Sequence, residues 1–176
     1  MENNIVFLLG AGASVNAGVP ATYSFVKEFV DSSDEPDKTV IKGIIDVLEK
    51  WKKENIDIEL LLETLIKLDK RDNDPLIHFY EKSNCKIQDT AHIGDLIVKL
   101  KDFIKGKCIV SEDKILYYQP LLDFIKEYKT QDIVTLNYDI CIEQFCNTHK
   151  IDYTDGFDVY WNASNFKNDK YPVHIY

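Results

Sequence analysis

Five consecutive apolar residues, Ile5 to Leu9, run straight into Gly10. A short apolar run ended by glycine predicts a strand buried on both faces. A second run, Ile133, Val134, Thr135 and Leu136, predicts another buried strand and ends on Asn137. Between them the period changes. Tyr23 to Val30 places Phe25, Val26 and Phe29 on one side of a helix. The polar stretch DSSDEPDK, residues 31–38, breaks the pattern. Val40, Ile41, Ile44, Ile45, Leu48 and Trp51 then recur at helical spacing. Ile56 to Leu68 is a further helical pattern, apolar on most sides and so expected to be buried, with Asp57 as a candidate cap. Thr90 to Ile104 and Asp113 to Tyr128 also read as helices, the second bent at Pro120. Ile140 to His149 returns to helix, and the closing YPVHIY looks like the start of a strand. Leu76 to Ile87 fits neither period.

Strand, glycine turn, helices, strand, polar turn, helix is an α/β order with a mostly parallel sheet. About 120 residues, nearly all helical, separate the two strands, far more than one crossover needs. A single domain over residues 1–176 with a helical insertion at 31–107 is therefore expected. The 176 residues suffice for one core. A net charge of −9 argues against nucleic acid and anionic membranes as partners. There is no apolar stretch of about 18 residues and no basic leader before the first apolar run, so a cytoplasmic protein is expected. Cys85, Cys108, Cys141 and Cys146 contain no C-x-x-C pair. That argues against a structural zinc site, and the thiols are expected to be reduced packing residues, with no metal bound. Single histidines without partners, His78, His92 and His149, are read as solvated or packed side chains.

The glycine turn carries the first candidate chemistry. A turn from strand to helix leaves backbone N–H groups unpaired, and the helix dipole favours anions there. Gly10 and Gly12 remove Cβ atoms that would keep a pyrophosphate away, Ser14 brings a hydroxyl, and Gly18 and Pro20 shape a second tight turn. No lysine completes a P-loop, and Val15 stands where a G-x-G-x-x-G fingerprint needs glycine. The competing account is that Gly-Ala-Gly merely permits tight helix–strand packing. The second strand end supplies Asn137 and Asp139. Ligands of open parallel sheets bind beyond the carboxyl ends of strands, so an amide there can hold ribose hydroxyls or place a water. Either residue could instead cap the helix that follows.

Together GAGAS, GVP and TLNYD, with the aromatic tail YTDGFDVYW, resemble the Sir2 family, and more closely its bacterial anti-phage Sir2-like branch. The resemblance implies a Rossmann-like domain that binds NAD as its substrate. It implies that Gly10, Ala11, Gly12 and Ser14 hold the pyrophosphate, with Gly18 in the same loop. Pro20 would line the nicotinamide side. Asn137 would be catalytic, binding the nicotinamide ribose and placing water, with Asp139 near the carboxamide. Ala21, Thr22 and Tyr23 stand where sirtuins carry Asp-Phe-Arg, and the four-cysteine zinc module is absent. Lysine deacetylation is therefore not expected. The defence branch implies an NAD hydrolase (NAD glycohydrolase) that yields nicotinamide and ADP-ribose through an oxocarbenium-like sugar. The family's catalytic histidine belongs to a Leu-His-Gly segment expected just past Tyr176, so the chain reads as truncated before it. His174 is the histidine nearest to that place, in a context that does not match. A sensing part beyond Tyr176 and a homo-oligomer, through a sheet edge left bare, are also expected. The alternative is a module that senses NAD or ADP-ribose without turnover.

Overall fold

A computed structural model of the chain describes residues 4–70, 92–157, 160–167 and 171–176. The chain divides into two compact units, one formed by Thr22–Gly106 and the other by Met1–Ala21 with Lys107–Tyr176.

In the helical unit, α1 spans Thr22–Ser32, α2 Asp37–Lys52 and α3 Ile58–Asp69, while α4, Ile93–Cys108, begins within it. Each helix follows the apolar stripe of its sequence. Phe25, Val26, Phe29 and Val30 of α1 are buried, as are Ile41 and Leu48 of α2 and Ile58, Leu61 and Leu65 of α3. Phe103 of α4 meets the rings of Phe25 and Phe29 at centroid distances of 6.3 and 5.4 Å. Asp57 caps α3 as expected, its Oδ1 accepting the Leu60 N–H at 2.7 Å. Lys53 closes α2 in the left-handed region at φ 60°. The ambiguous stretch Leu76 to Ile87, with His78 and Cys85, lies outside the described residues.

The second unit is α/β. Strands β1 (Asn4–Leu9), β2 (Thr130–Thr135), β3 (Tyr153–Thr154) and β4 (Val173–Ile175) form one four-stranded parallel sheet in the order β1-β2-β4-β3. Leu9 lies opposite Thr135, so β1 and β2 end side by side. The expectation that Ile5 to Leu9 is buried on both faces is corrected here. Val6 is 64% and Leu8 72% exposed. The strand lies at the sheet edge, and Phe124 of α5 (Leu121–Glu127) packs edge-on against Phe7 at 5.3 Å on its other face.

β2 starts at Thr130, three residues earlier than its apolar run, because pairing with β1 extends back to Asn4. The single bent helix expected over 113–128 is instead two pieces. A 3-10 segment, Glu112–Tyr118, is followed by α5, with Pro120 at the N-cap, where its missing N–H costs nothing. Helix α6, Cys141–His149, buries Cys141, Ile142, Phe145 and Cys146. Its Gln144 is paired with the Val110 backbone, accepting from N–H at 3.1 Å and donating to the carbonyl at 2.6 Å. Cys108, Cys141 and Cys146 are free buried thiols. The closing YPVHIY does form a strand, β4, placed between β2 and β3. Among the described residues no helix is long and apolar enough to cross a membrane.

Candidate functional site

The site is built at the adjacent ends of β1 and β2. Gly10 leaves β1 extended, at φ −110° and ψ −178°, and the chain makes two successive 3-10 turns, Ala11–Ala13 and Val15–Ala17. The dipole expected from a helix directly after the glycines is not present there, because α1 begins only at Thr22. Gly18 ends the second turn at φ 86° and Pro20 follows, which stops the turns from growing into an α-helix. The 3-10 turn still leaves donors open. Ala13 N–H bonds the Gly10 carbonyl at 2.8 Å and Ser14 N–H the Ala11 carbonyl at 3.2 Å. The Ala11 and Gly12 N–H groups have no backbone partner among the described residues.

The glycines divide into two kinds. At Gly156 a Cβ would lie 2.3 Å from Trp161 Cζ3, and φ is +80°, so fold and packing both demand glycine. Gly10 and Gly12 differ on both counts. Neither has a positive φ, and an added Cβ at either would meet nothing within 4 Å. Tight packing therefore does not account for glycine at 10 or 12. The space above them is open.

Asn137 closes the turn from the β2 side. Its Nδ2 donates to the Gly10 carbonyl at 3.1 Å and to Ser14 Oγ at 3.1 Å. Its own N–H is held by Thr135 Oγ1 at 3.1 Å. The Asn137 Oδ1 is buried and has no partner. An acceptor left in that state costs roughly 1–3 kcal/mol, which a ligand donor or a water recovers. Ser14 is 1% exposed. Its hydroxyl lies beneath the turn, between the Asn137 amide and the Tyr118 hydroxyl 3.5 Å away. Asp139, one residue before the Ile140 N-cap, accepts the Cys141 N–H at 3.1 Å, an Asx turn that leads into α6. Pro20 is buried, whereas Gly10, Ala11 and Gly12 are exposed.

Two residues that the sequence pattern did not single out complete the turn. Tyr117 and Tyr118 both donate their hydroxyls to the Ala13 carbonyl, Tyr118 at 2.9 Å. Burial raises both phenol pKa values above the ordinary 10, so the hydroxyls stay protonated donors at neutral pH. The adjacent Tyr-Tyr pair is visible in the sequence but does not by itself mark a task for the hydroxyls. In the structure the two rings lie side by side, with centroids 4.3 Å apart. Cys141 is fully buried, and burial pushes its thiol up to about 12, which leaves it a packing residue rather than a nucleophile. Burial also raises the Glu143 carboxyl, helped by the negative charges of Asp139 and Asp155.

His174 is placed elsewhere. It sits opposite Asp132, with Nδ1 3.1 Å from Asp132 Oδ1 and Nε2 buried without a partner. Asp132 precedes the end of β2 by three residues, about 10 Å along a strand. His174 is thus within the sheet and not at the strand ends that carry Asn137. Among the described residues no group of three or more His, Cys, Asp or Glu side chains could hold a metal ion.

No protein-family model matches the chain, and no curated protein matches it. The class established by the fold is an α/β unit with a parallel sheet whose strand ends present an open glycine turn to an asparagine.

Proposed function

We propose that this chain is a Sir2-like domain that binds NAD across the ends of β1 and β2 and, in its complete form, hydrolyses it as an anti-phage effector. The observation that carries this reading is the Asn137 amide anchored on Gly10 and Ser14, with its Oδ1 unpartnered beside two glycines that packing does not require. The unpaired Ala11 and Gly12 N–H groups suit the pyrophosphate. Ser14 acts from beneath, holding the amide, since its hydroxyl is buried. Asn137 Oδ1 accepts from a ribose hydroxyl or from the attacking water. In the hydrolysis the bond between nicotinamide nitrogen and C1′ breaks, the water oxygen bonds to C1′, and the water proton leaves to a base. The products are nicotinamide and ADP-ribose.

Calorimetric titration with NAD, followed by assay of nicotinamide release, tests the reading. Wild-type protein is expected to bind NAD, and Asn137→Ala to bind about tenfold more weakly or worse while remaining folded. Equal affinity in the two proteins contradicts it. A second reading, a sensor that binds NAD or ADP-ribose without turnover, is favoured by one observation. The histidine of this chain nearest its end, His174, is paired with Asp132 inside the sheet rather than at the glycine turn. Binding without nicotinamide release, in a chain that continues past Tyr176, selects the sensor.

A further inference from the structure

The two peptide groups whose N–H donors are open at the glycine turn both have their carbonyl ends engaged. The Gly10–Ala11 peptide presents the Ala11 N–H, and its carbonyl accepts from Ala13 N–H at 2.8 Å and Asn137 Nδ2 at 3.1 Å. The Ala11–Gly12 peptide presents the Gly12 N–H, and its carbonyl accepts from Ser14 N–H at 3.2 Å. That Ser14 N–H belongs in turn to the Ala13–Ser14 peptide, whose carbonyl takes the hydroxyls of both Tyr117 and Tyr118. A continuous hydrogen-bonded chain therefore runs from two phenols through two peptide groups to the Gly12 N–H. Each bond in such a chain polarises the next and makes the last donor stronger.

We propose that Tyr117 and Tyr118 are positioning residues for anion binding: their hydroxyls, converging on the Ala13 carbonyl, fix the glycine turn and polarise the Gly12 N–H toward a ligand's phosphate. The proposal rests on the dinucleotide reading and assigns the phosphate affinity of that site. The pair is built for it. Tyr118 is 7% exposed, its ring packed against Tyr117 at 4.3 Å and Phe145 at 6.2 Å, so the phenols cannot swing away cheaply. A carbonyl oxygen has two lone pairs, and at Ala13 side-chain hydroxyls take both. The Tyr118 hydroxyl also lies 3.5 Å from Ser14 Oγ, which accepts from Asn137, so the phenols and the amide that flank the turn share one network.

The test uses Tyr117→Phe, Tyr118→Phe and the double variant, which keep both rings and remove only hydroxyls. Each is titrated with ADP-ribose and with adenosine, which lacks phosphate, and the free proteins are compared by amide NMR. The double variant is expected to bind ADP-ribose about tenfold more weakly, with adenosine affinity unchanged. In the free protein the Gly12 amide proton is expected to move upfield, while that of Gly18, outside the hydrogen-bonded chain, stays in place. Wild-type ADP-ribose affinity in the double variant overturns the proposal and leaves the dinucleotide reading standing. An equal loss for adenosine also overturns it, since that is general loosening. If wild-type protein binds no ADP-ribose, the dinucleotide reading falls and this proposal with it. Should the double variant not fold, the Tyr117→Phe protein and its Gly12 amide shift decide the matter by the same criteria.

Discussion

The two units bury different chemistry. The helical unit closes on apolar side chains: Ile41, Leu61, Leu65 and Leu100 are all fully buried. The buried polar residues among the described ones, Ser14, Gln131, Thr154 and His174, all belong to the sheet unit. So do the buried side-chain atoms without partners, on Gln131, Asn137 and His174. Apolar burial is cheap to specify and needs only spacing. Buried polar atoms cost free energy unless they are paired, so their concentration in one unit marks where the chain carries something other than stability. Within the sheet unit the polar groups divide again. In mid-strand His174 Nδ1 is paired with Asp132, while its Nε2 has no partner. At the strand ends Asn137 is held by its amide and keeps a buried acceptor without a partner.

The comparison can be strained from the helical side first. Leu61→Ala removes a fully buried side chain from the middle of α3. It is expected to cost about 2–5 kcal/mol in denaturant unfolding while leaving NAD affinity of the folded protein unchanged. A fall in affinity at full folding would break the division of labour. Asp57→Ala removes the α3 cap, for an expected loss of about 1 kcal/mol, again without effect on ligand.

The smallest effect is sought in the sheet unit. Burial and neighbouring acids raise the Glu143 carboxyl, so the folded state binds that proton more tightly than the unfolded one. Its ionisation therefore destabilises the fold above the raised pKa, and the penalty fades as pH falls toward the ordinary 4.5. Glu143→Gln is expected to raise the melting temperature at pH 7–8 and to lose that gain below about pH 4.5. A gain independent of pH would assign the effect to packing instead.

Much of the helical unit was legible because hydrophobic spacing and a capping aspartate determine it locally. Phe25, Phe29, Leu48 and Leu65 are buried as the period requires, and Asp57 bonds as its position predicts. The approach of Asn137 to the glycine turn was legible for a different reason. Both lie at the ends of apolar strands, and parallel strands bring such ends together. The exposure of Val6 and Leu8 was not legible, because an apolar run does not say whether both faces of its strand are covered. Tyr117 and Tyr118 were hidden inside what looked like a helix, where a buried aromatic resembles core whether or not its hydroxyl has a task. The burial of Ser14 was missed because it follows from the 3-10 turn and not from composition.

The central claim is that Gly10 and Gly12 are glycines for the sake of a ligand and not of the fold. The most direct measurement is a pair of experiments on Gly12→Ala: thermal unfolding and calorimetric titration with NAD. Because the new Cβ meets nothing within 4 Å and no positive φ is involved, stability is expected to be unchanged or higher, by up to about 1 kcal/mol. NAD affinity is expected to fall at least tenfold. A variant that binds NAD as tightly as the wild type, or one that loses its fold, contradicts the account.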